Sequence, residues 1–344
     1  MRALVLVDPG ETPHLEVQAV PDPVPGPGQV VLRVLACGLC HHDVLVMRGT
    51  LRRGVKPQVV LGHEIAGEVV AAGPGVADIR IGDRVATLQT NACGHCDRCQ
   101  TGRHHRCRVG TGIGHTVDGG LAEYVAVSAH SVAPVPHGMA PEEACLLGCP
   151  IGVALKGVRD AARVRAGETA LVTGATGGLG VHAVQVAAAI GARVFAVTTS
   201  AEKLERLEAL PGVEQAILHG DVDFAELARA MTEDEGVDAV VDTVGSPLFR
   251  SCLASLAQYG RLVLLGEVGG ERVPLSLAEL VFRDALIMGS SGADREHILE
   301  AARLASEGKV RPVVFRKLAL DQVVEGYHLL RERRAFGRLV VMGL

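Results

Sequence analysis

Up to about residue 135 the apolar positions come in short runs, such as Gln29 to Ala36 and Gly67 to Ala72. Gly and Pro clusters interrupt them, as in Pro21 to Gly28 and Gly73 to Gly75. Alternating or short apolar runs between turn residues predict a mostly β region. From Glu168 the pattern changes to strand, Gly-rich turn, helix, strand: Ala170 to Thr173, a helix near Leu179 to Ile190, then Ala192 to Val197. Gly191 stands where the helix needs a left-handed residue to end it. Further strands are predicted at Ala216 to Leu218, Val237 to Val241, Arg261 to Leu265 and Ala285 to Met288, with helical stretches between them. This is the pattern of a doubly wound parallel sheet. A helix from Asp294 to Ser306 and strands at Val313 to Phe315 and Gly337 to Met342 close the chain and read as a return to the first domain. The expected organisation is an α/β protein in two parts: residues 1–150 with 291–344, and residues 151–290.

Composition agrees with that picture and narrows it. The 344 residues are 48% hydrophobic but only 3% aromatic, without Trp, so the cores must be built from Val, Leu, Ile and Ala. A net charge of -5, spread over 34 basic and 39 acidic residues, leaves no basic block for nucleic acid or an anionic bilayer. The N-terminal apolar run meets Asp8 and Pro9 too soon for a signal core or a membrane span. Nine Cys, most of them clustered beside His, point to metal binding in a reducing cytoplasm rather than to disulfides.

Cys93, Cys96, Cys99 and Cys107 form a C-x2-C-x2-C-x7-C array, with Gly94 and Gly102 relieving the tight backbone. Four thiolates at this spacing close a tetrahedron around zinc, and a closed thiolate shell leaves no place for substrate, so the role is structural. The neighbouring His95, His104 and His105 are expected to be solvated loop residues. Cys40-His41-His42-Asp43 and Gly62-His63-Glu64 pair candidate ligands with carboxylates, which is what a catalytic zinc and the groups orienting its ligands require. Thr173-Gly174-Ala175-Thr176-Gly177-Gly178-Leu179-Gly180 follows a predicted strand and opens a helix. In that setting small residues and free helix N–H groups cradle a dinucleotide pyrophosphate. At the end of the next strand, Thr198-Thr199-Ser200-Ala201-Glu202-Lys203 offers hydroxyls and a cation where an NAD site places an acid. NADP(H) is therefore preferred over NAD(H), with Ser200 and Lys203 on the phosphate.

Taken together, the Cys-His-x-Asp and Gly-His-Glu motifs, the four-Cys lobe, Gly82-Asp83-Arg84-Val85, the Gly-rich turn and the pattern from Gly326-Tyr327 to Gly337-Arg338 resemble the zinc-containing alcohol dehydrogenases of the medium-chain dehydrogenase/reductase family. The resemblance runs over the whole chain and implies a GroES-like catalytic domain joined to a Rossmann domain. It implies a second, catalytic zinc on Cys40, His63 and a third ligand. Cys149 fits that place. An alternative alignment puts Gly148 there, Cys145 is a further candidate, and Glu64 could complete the shell. Asp43 and Glu64 would tune the metal, and Thr243, Val244, Gly266 and Glu267 would face the nicotinamide half. The resemblance also implies a homodimer or homotetramer through the strand near Ala285 to Ser290. Cys37, Cys145 and Cys252 read as packing thiols.

Two departures matter. Where the family has a Ser or Thr hydroxyl and then a His to relay the alcohol proton, this chain has His42 and Leu45, so His42 is the expected proton donor or acceptor. The Gly-Ala-Thr-Gly-Gly form of the turn is closer to the quinone and enoyl reductases. The leading expectation is a zinc-dependent oxidoreductase passing hydride between NADP(H) and an alcohol, aldehyde or ketone. The alternatives are an NADPH-dependent ene or quinone reductase without a working catalytic zinc, and a non-catalytic dinucleotide-binding relative.

Overall fold

The structure, a computed structural model, describes all residues from Met1 to Leu344. It divides into two compact units. One comprises Met1–Gly152, Gly292–Ser306 and Pro312–Leu344, and the other comprises Val153–Ser291 and Glu307–Arg311. No helix is long and apolar enough to cross a membrane.

The first unit is built on a seven-stranded sheet. Its path runs Val314–Leu318, Arg338–Met342, Gln29–Leu39, Glu64–Ala72, Arg84–Thr87 and Val132–Pro134, with Tyr124–Ser128 also paired to Gln29–Leu39. Only the first pair is parallel. The core is aliphatic, with Leu32, Leu39, Leu61, Ile65, Val85 and Leu121 fully buried. The strand Gln29–Leu39 runs directly into Cys40 and the helix His41–Met47, and Glu64–Ala72 starts at the Gly-His-Glu motif, so two adjacent central strands deliver both motifs to one end of the sheet.

The second unit is a six-stranded parallel sheet in the order Val213–Leu218, Arg193–Thr198, Thr169–Val172, Val237–Asp242, Leu256–Leu264, Leu286–Gly289. Reading outward from the first strand in both directions, this is the doubly wound order in which a dinucleotide sits where the strand order reverses. Its strands are buried apolar runs, with Leu171, Phe195, Val197, Val240 and Leu262 in the core. The helix Gly180–Ile190 ends at Gly191 with φ 95°, as its sequence predicts.

Candidate functional site

The four sulfurs of Cys93, Cys96, Cys99 and Cys107 converge, with Cys93–Cys99 at 4.0 Å, Cys96–Cys99 at 3.5 Å and Cys96–Cys107 at 3.9 Å. A tetrahedron with Zn–S bonds of about 2.3 Å has edges of about 3.8 Å, so the donor set fits zinc. Backbone N–H groups of Arg108 and Cys99 hold the Cys96 thiol down to about 6, favouring the thiolate a metal needs. One expectation is corrected here. His104 and His105 are not solvated: His105 Nδ1 lies 3.0 Å from the buried Asp294 carboxylate and His104 Nδ1 lies 3.7 Å from it. His95 is exposed, with its ring on the Cys93 carbonyl.

The second group gathers Cys40, His63, Glu64 and Cys149, with one ligand atom of each within 4.8 Å of all the others. Gly62 makes the turn into this motif at φ 91°, and a side chain there would strike Cys37 Sγ and Leu121. His63 and Glu64 are 1% and 0% exposed, yet His63 Nε2 and Glu64 Oε2 have no hydrogen-bond partner. Buried polar atoms left in that state are costly unless a further group satisfies them. Two thiols, an imidazole and a carboxylate are donors suited to zinc. Asp43 orients the set: Oδ1 lies 3.2 Å from His63 Nδ1, and Oδ2 accepts from the Cys40 N–H and the Tyr327 hydroxyl at 3.0 and 3.2 Å. Arg338 stands 2.9 Å from Glu64 Oε1.

Cys149 arrives by an unusual route. Leu147–Ile151 is a π-helical turn in which the Ile151 N–H reaches back to the Leu146 carbonyl. Pro150 has no N–H for the ordinary ladder, and widened turns of this kind cluster at functional sites. Cys145, by contrast, directs its thiol to the Glu142 carbonyl and stays outside the group. Burial pushes the Cys37, Cys145 and Cys252 thiols up, as suits packing residues.

His42 packs edge-on against His63, with ring centres 5.2 Å apart, and its Nε2 is 3.3 Å from His115 Nδ1. His115 Nε2 lies 3.1 Å from the Arg53 carbonyl, which can only accept. The carbonyl therefore accepts from His115 Nε2–H, and the His115 Nδ1 and His42 Nε2 atoms share one hydrogen bond. His115, Tyr327 and Arg338, which contact His42, Asp43 and Glu64, are not singled out by the sequence. Tyr327 and Arg338 lie in the C-terminal pattern but announce no role, and His115 carries no local signal.

In the second unit the strand Thr169–Val172 leads through Gly174, Ala175, Thr176, Gly177, Gly178 and Leu179 into the helix Gly180–Ile190. A Cβ on Gly180 would sit 2.1 Å from the Gly174 carbonyl oxygen, so only Gly lets the helix start this close to the turn. The Ala175 N–H bonds to the Val197 carbonyl, and the hydroxyls of Thr176 and Thr198 meet at 3.4 Å. Thr198 Oγ1 accepts the Ser200 N–H, and no carboxylate ends this strand. Thr199 and Glu202 are exposed, while Ser200 and Lys203 are half-buried. Thr243 donates its hydroxyl to the Thr173 carbonyl, and the Thr173 hydroxyl donates to the buried Asp242. Val244 donates its N–H to Asp242, and Gly266 packs on the Thr243 backbone. The Glu267 carboxylate is engaged by Ser246, Gly269 and Gly270, which hold it below the usual range against the opposing effect of its burial.

Residues 26–137 match the alcohol dehydrogenase GroES-like domain, and residues 178–307 match the zinc-binding dehydrogenase domain. The chain is 35% identical to the acryloyl-coenzyme A reductase of Sulfurisphaera tokodaii, over 99% of both chains. It is 34% identical to the NAD-dependent alcohol dehydrogenase of Saccharolobus solfataricus, over 99% of this chain and 100% of that one. The crystal structure of a zinc-binding dehydrogenase from Sinorhizobium meliloti bound to NADP superposes with a TM-score of 0.87 at 29% identity, covering 99% of both chains. Two converging metal-donor groups, a doubly wound sheet with its Gly-rich turn, and likeness along the full length lead to one assignment: the chain belongs to the zinc-type medium-chain dehydrogenase/reductase family of oxidoreductases.

Proposed function

We propose that this oxidoreductase uses NADP(H) in preference to NAD(H) to reduce the carbon–carbon double bond of a small 2-enoyl thioester. The observation that carries the reading is a combination at one site. The Cys40–His63–Glu64–Cys149 donor set is complete, yet the hydroxyl relay of the alcohol dehydrogenases is replaced by His42 and Leu45. A full-length relative that reduces acryloyl-coenzyme A supports it.

A zinc ion held by Cys40, His63 and Cys149, with Glu64 beside it, would supply Lewis-acid polarisation of the substrate carbonyl. NADP(H), held at the turn from Gly174 to Gly180, would supply the hydride, and a proton delivered to the α carbon would complete reduction of the double bond to the saturated thioester. Asp43 would fix the His63 ring, Arg338 would balance Glu64, and His42, hydrogen-bonded to His115, would hand over the proton. Ser200 and Lys203 would hold the ribose phosphate.

A second reading, interconversion of an alcohol with an aldehyde or ketone, is favoured by the same donor set, which polarises any carbonyl. Purified protein assayed with acryloyl-CoA, crotonyl-CoA, and a panel of aldehydes, ketones and alcohols separates them. NADPH oxidation on the enoyl thioesters is expected, and turnover confined to alcohols and simple carbonyls overturns the first reading. Loss of that turnover in His42→Ala, with zinc content unchanged, is expected from its proton role.

Two further expectations belong here. The nine thiols, none in a disulfide, suit a reducing cytoplasm. The exposed apolar residues Leu277, Val281, Phe282 and Leu286, beside the edge strand Leu286–Gly289, suit pairing with a second copy.

A further inference from the structure

Between Asp43 and Glu64 the chain carries Arg48, Arg52, Arg53 and Lys56 and no carboxylate. Only Lys56 is paired, to Asp118. Arg48, Arg52 and Arg53 are exposed and make no ion pair. The segment is ordered by its own backbone: the Arg48 N–H bonds to the Val44 carbonyl, those of Thr50 and Leu51 bond to the Leu45 carbonyl, and that of Lys56 bonds to the His115 carbonyl. It is also joined to the reaction centre, because the Arg53 carbonyl accepts from His115, whose ring meets His42, two residues from Cys40. Arg48 caps the helix that Cys40 begins, so its backbone lies about 12 Å along the axis from the metal group.

Three exposed guanidinium groups without ion pairs, on a segment whose backbone is tied through His115 to His42, offer phosphate ligands, since Arg pairs with phosphate in planar, two-pronged fashion. We infer that Arg48, Arg52 and Arg53 bind the phosphates of the coenzyme A portion of the substrate, which makes the enzyme selective for CoA thioesters over free acids, aldehydes and short thioesters. The inference rests on the enoyl-thioester reading and names its recognition element. It assigns to this loop the substrate phosphates and not the 2'-phosphate of NADP(H).

The test compares crotonyl-CoA with crotonyl-N-acetylcysteamine, which has the same reacting group and no phosphate, in wild type and in Arg52→Glu/Arg53→Glu. Binding of free coenzyme A to both proteins is measured by calorimetry. Wild type is expected to prefer the CoA form. In the variant the ratio of kcat/KM between the two thioesters falls about tenfold or more, free coenzyme A binds correspondingly more weakly, and the KM for NADPH stays where it was. Higher salt is expected to erode the wild-type preference in the same direction. Equal use of the two thioesters by wild type, an unchanged ratio in the variant, or equal binding of coenzyme A by both proteins overturns the assignment. If neither thioester is turned over but alcohols are, the enoyl reading fails by itself, and the calorimetric comparison still decides whether the loop binds coenzyme A.

Discussion

The Arg338 guanidinium lies 2.9 Å from Glu64 Oε1, and both side chains are shut off from solvent. Burial pushes the Glu64 carboxyl up to about 7, against the pull of Arg338, so the two groups depend on each other. Breaking a buried pair by removing one member leaves the other charge uncompensated. Arg338→Met is therefore expected to destabilise the protein by about 3–5 kcal/mol, and Arg338→Met/Glu64→Leu to recover much of that. Denaturant unfolding of the four proteins of the cycle checks this, and an additive double variant would refute the coupling.

Zinc analysis distinguishes the two metal groups. Wild type is expected to carry two ions per chain. Cys149→Ala should keep the fold and the four-Cys ion but lose the second ion and turnover. Cys99→Ala should lose the other ion and lower the melting temperature, because a closed thiolate shell contributes directly to folding. Retention of two ions by Cys149→Ala would mean that Glu64 completes the shell without it.

How much of this could be read in advance depended on whether the chemistry was local. The four-Cys lobe and the Gly-rich turn are written in contiguous spacing, and the strand order of the second unit follows from alternating strand and helix patterns. Cys149 was one candidate among several because its position depends on a π-helical turn set by Pro150, and local spacing does not reveal that geometry. Arg338 and Tyr327 come from the far end of the chain, joined to Glu64 and Asp43 only by sheet pairing and helix packing. The pairing of His105 is hidden from the local sequence for the same reason, since Asp294 is 189 positions away.

In the turn after the strand Arg193–Thr198, Lys203 is half-buried, and burial holds its ammonium below the usual range. Lys203→Ala is expected to raise the KM for NADPH about tenfold and leave that for NADH nearly unchanged. Ser200→Asp should reverse the preference by repelling the 2'-phosphate. Steady-state kinetics with both cofactors decides, and equal effects on the two would remove Lys203 from the phosphate site.

The clasp between Asp294 and the four-Cys lobe sets an acid limit. Burial alone would raise the Asp294 carboxyl, but the neighbouring His104 ring and the hydrogen-bonded His105 outweigh it and hold it well below the usual range. A carboxyl lowered in the folded state adds stability above its unfolded value of about 3.9, and that stability drains away as pH falls toward the folded value. Asp294→Asn is expected to be less stable than wild type at neutral pH and to lose less on acidification below about pH 4. Parallel slopes of unfolding free energy against pH would contradict this.

The last expectation concerns assembly. Leu277, Val281 and Phe282 lie on the short helix Leu277–Arg283 and are 71%, 68% and 80% exposed, with Leu286 at 55% on the strand that follows. That strand is the edge of the six-stranded sheet, with one side of its hydrogen-bonding groups unpaired. An apolar stripe next to an open edge is a liability in a monomer, and a two-fold copy of the same surface answers both needs: strand pairs with strand and the apolar faces cover each other. Phe282→Asp together with Leu286→Lys places charges on this surface and none in either core. The variant is expected to run as a monomer in sedimentation while keeping its secondary structure, where wild type runs as a dimer or a multiple of it. A variant that sediments like wild type would place the subunit contact elsewhere on the chain.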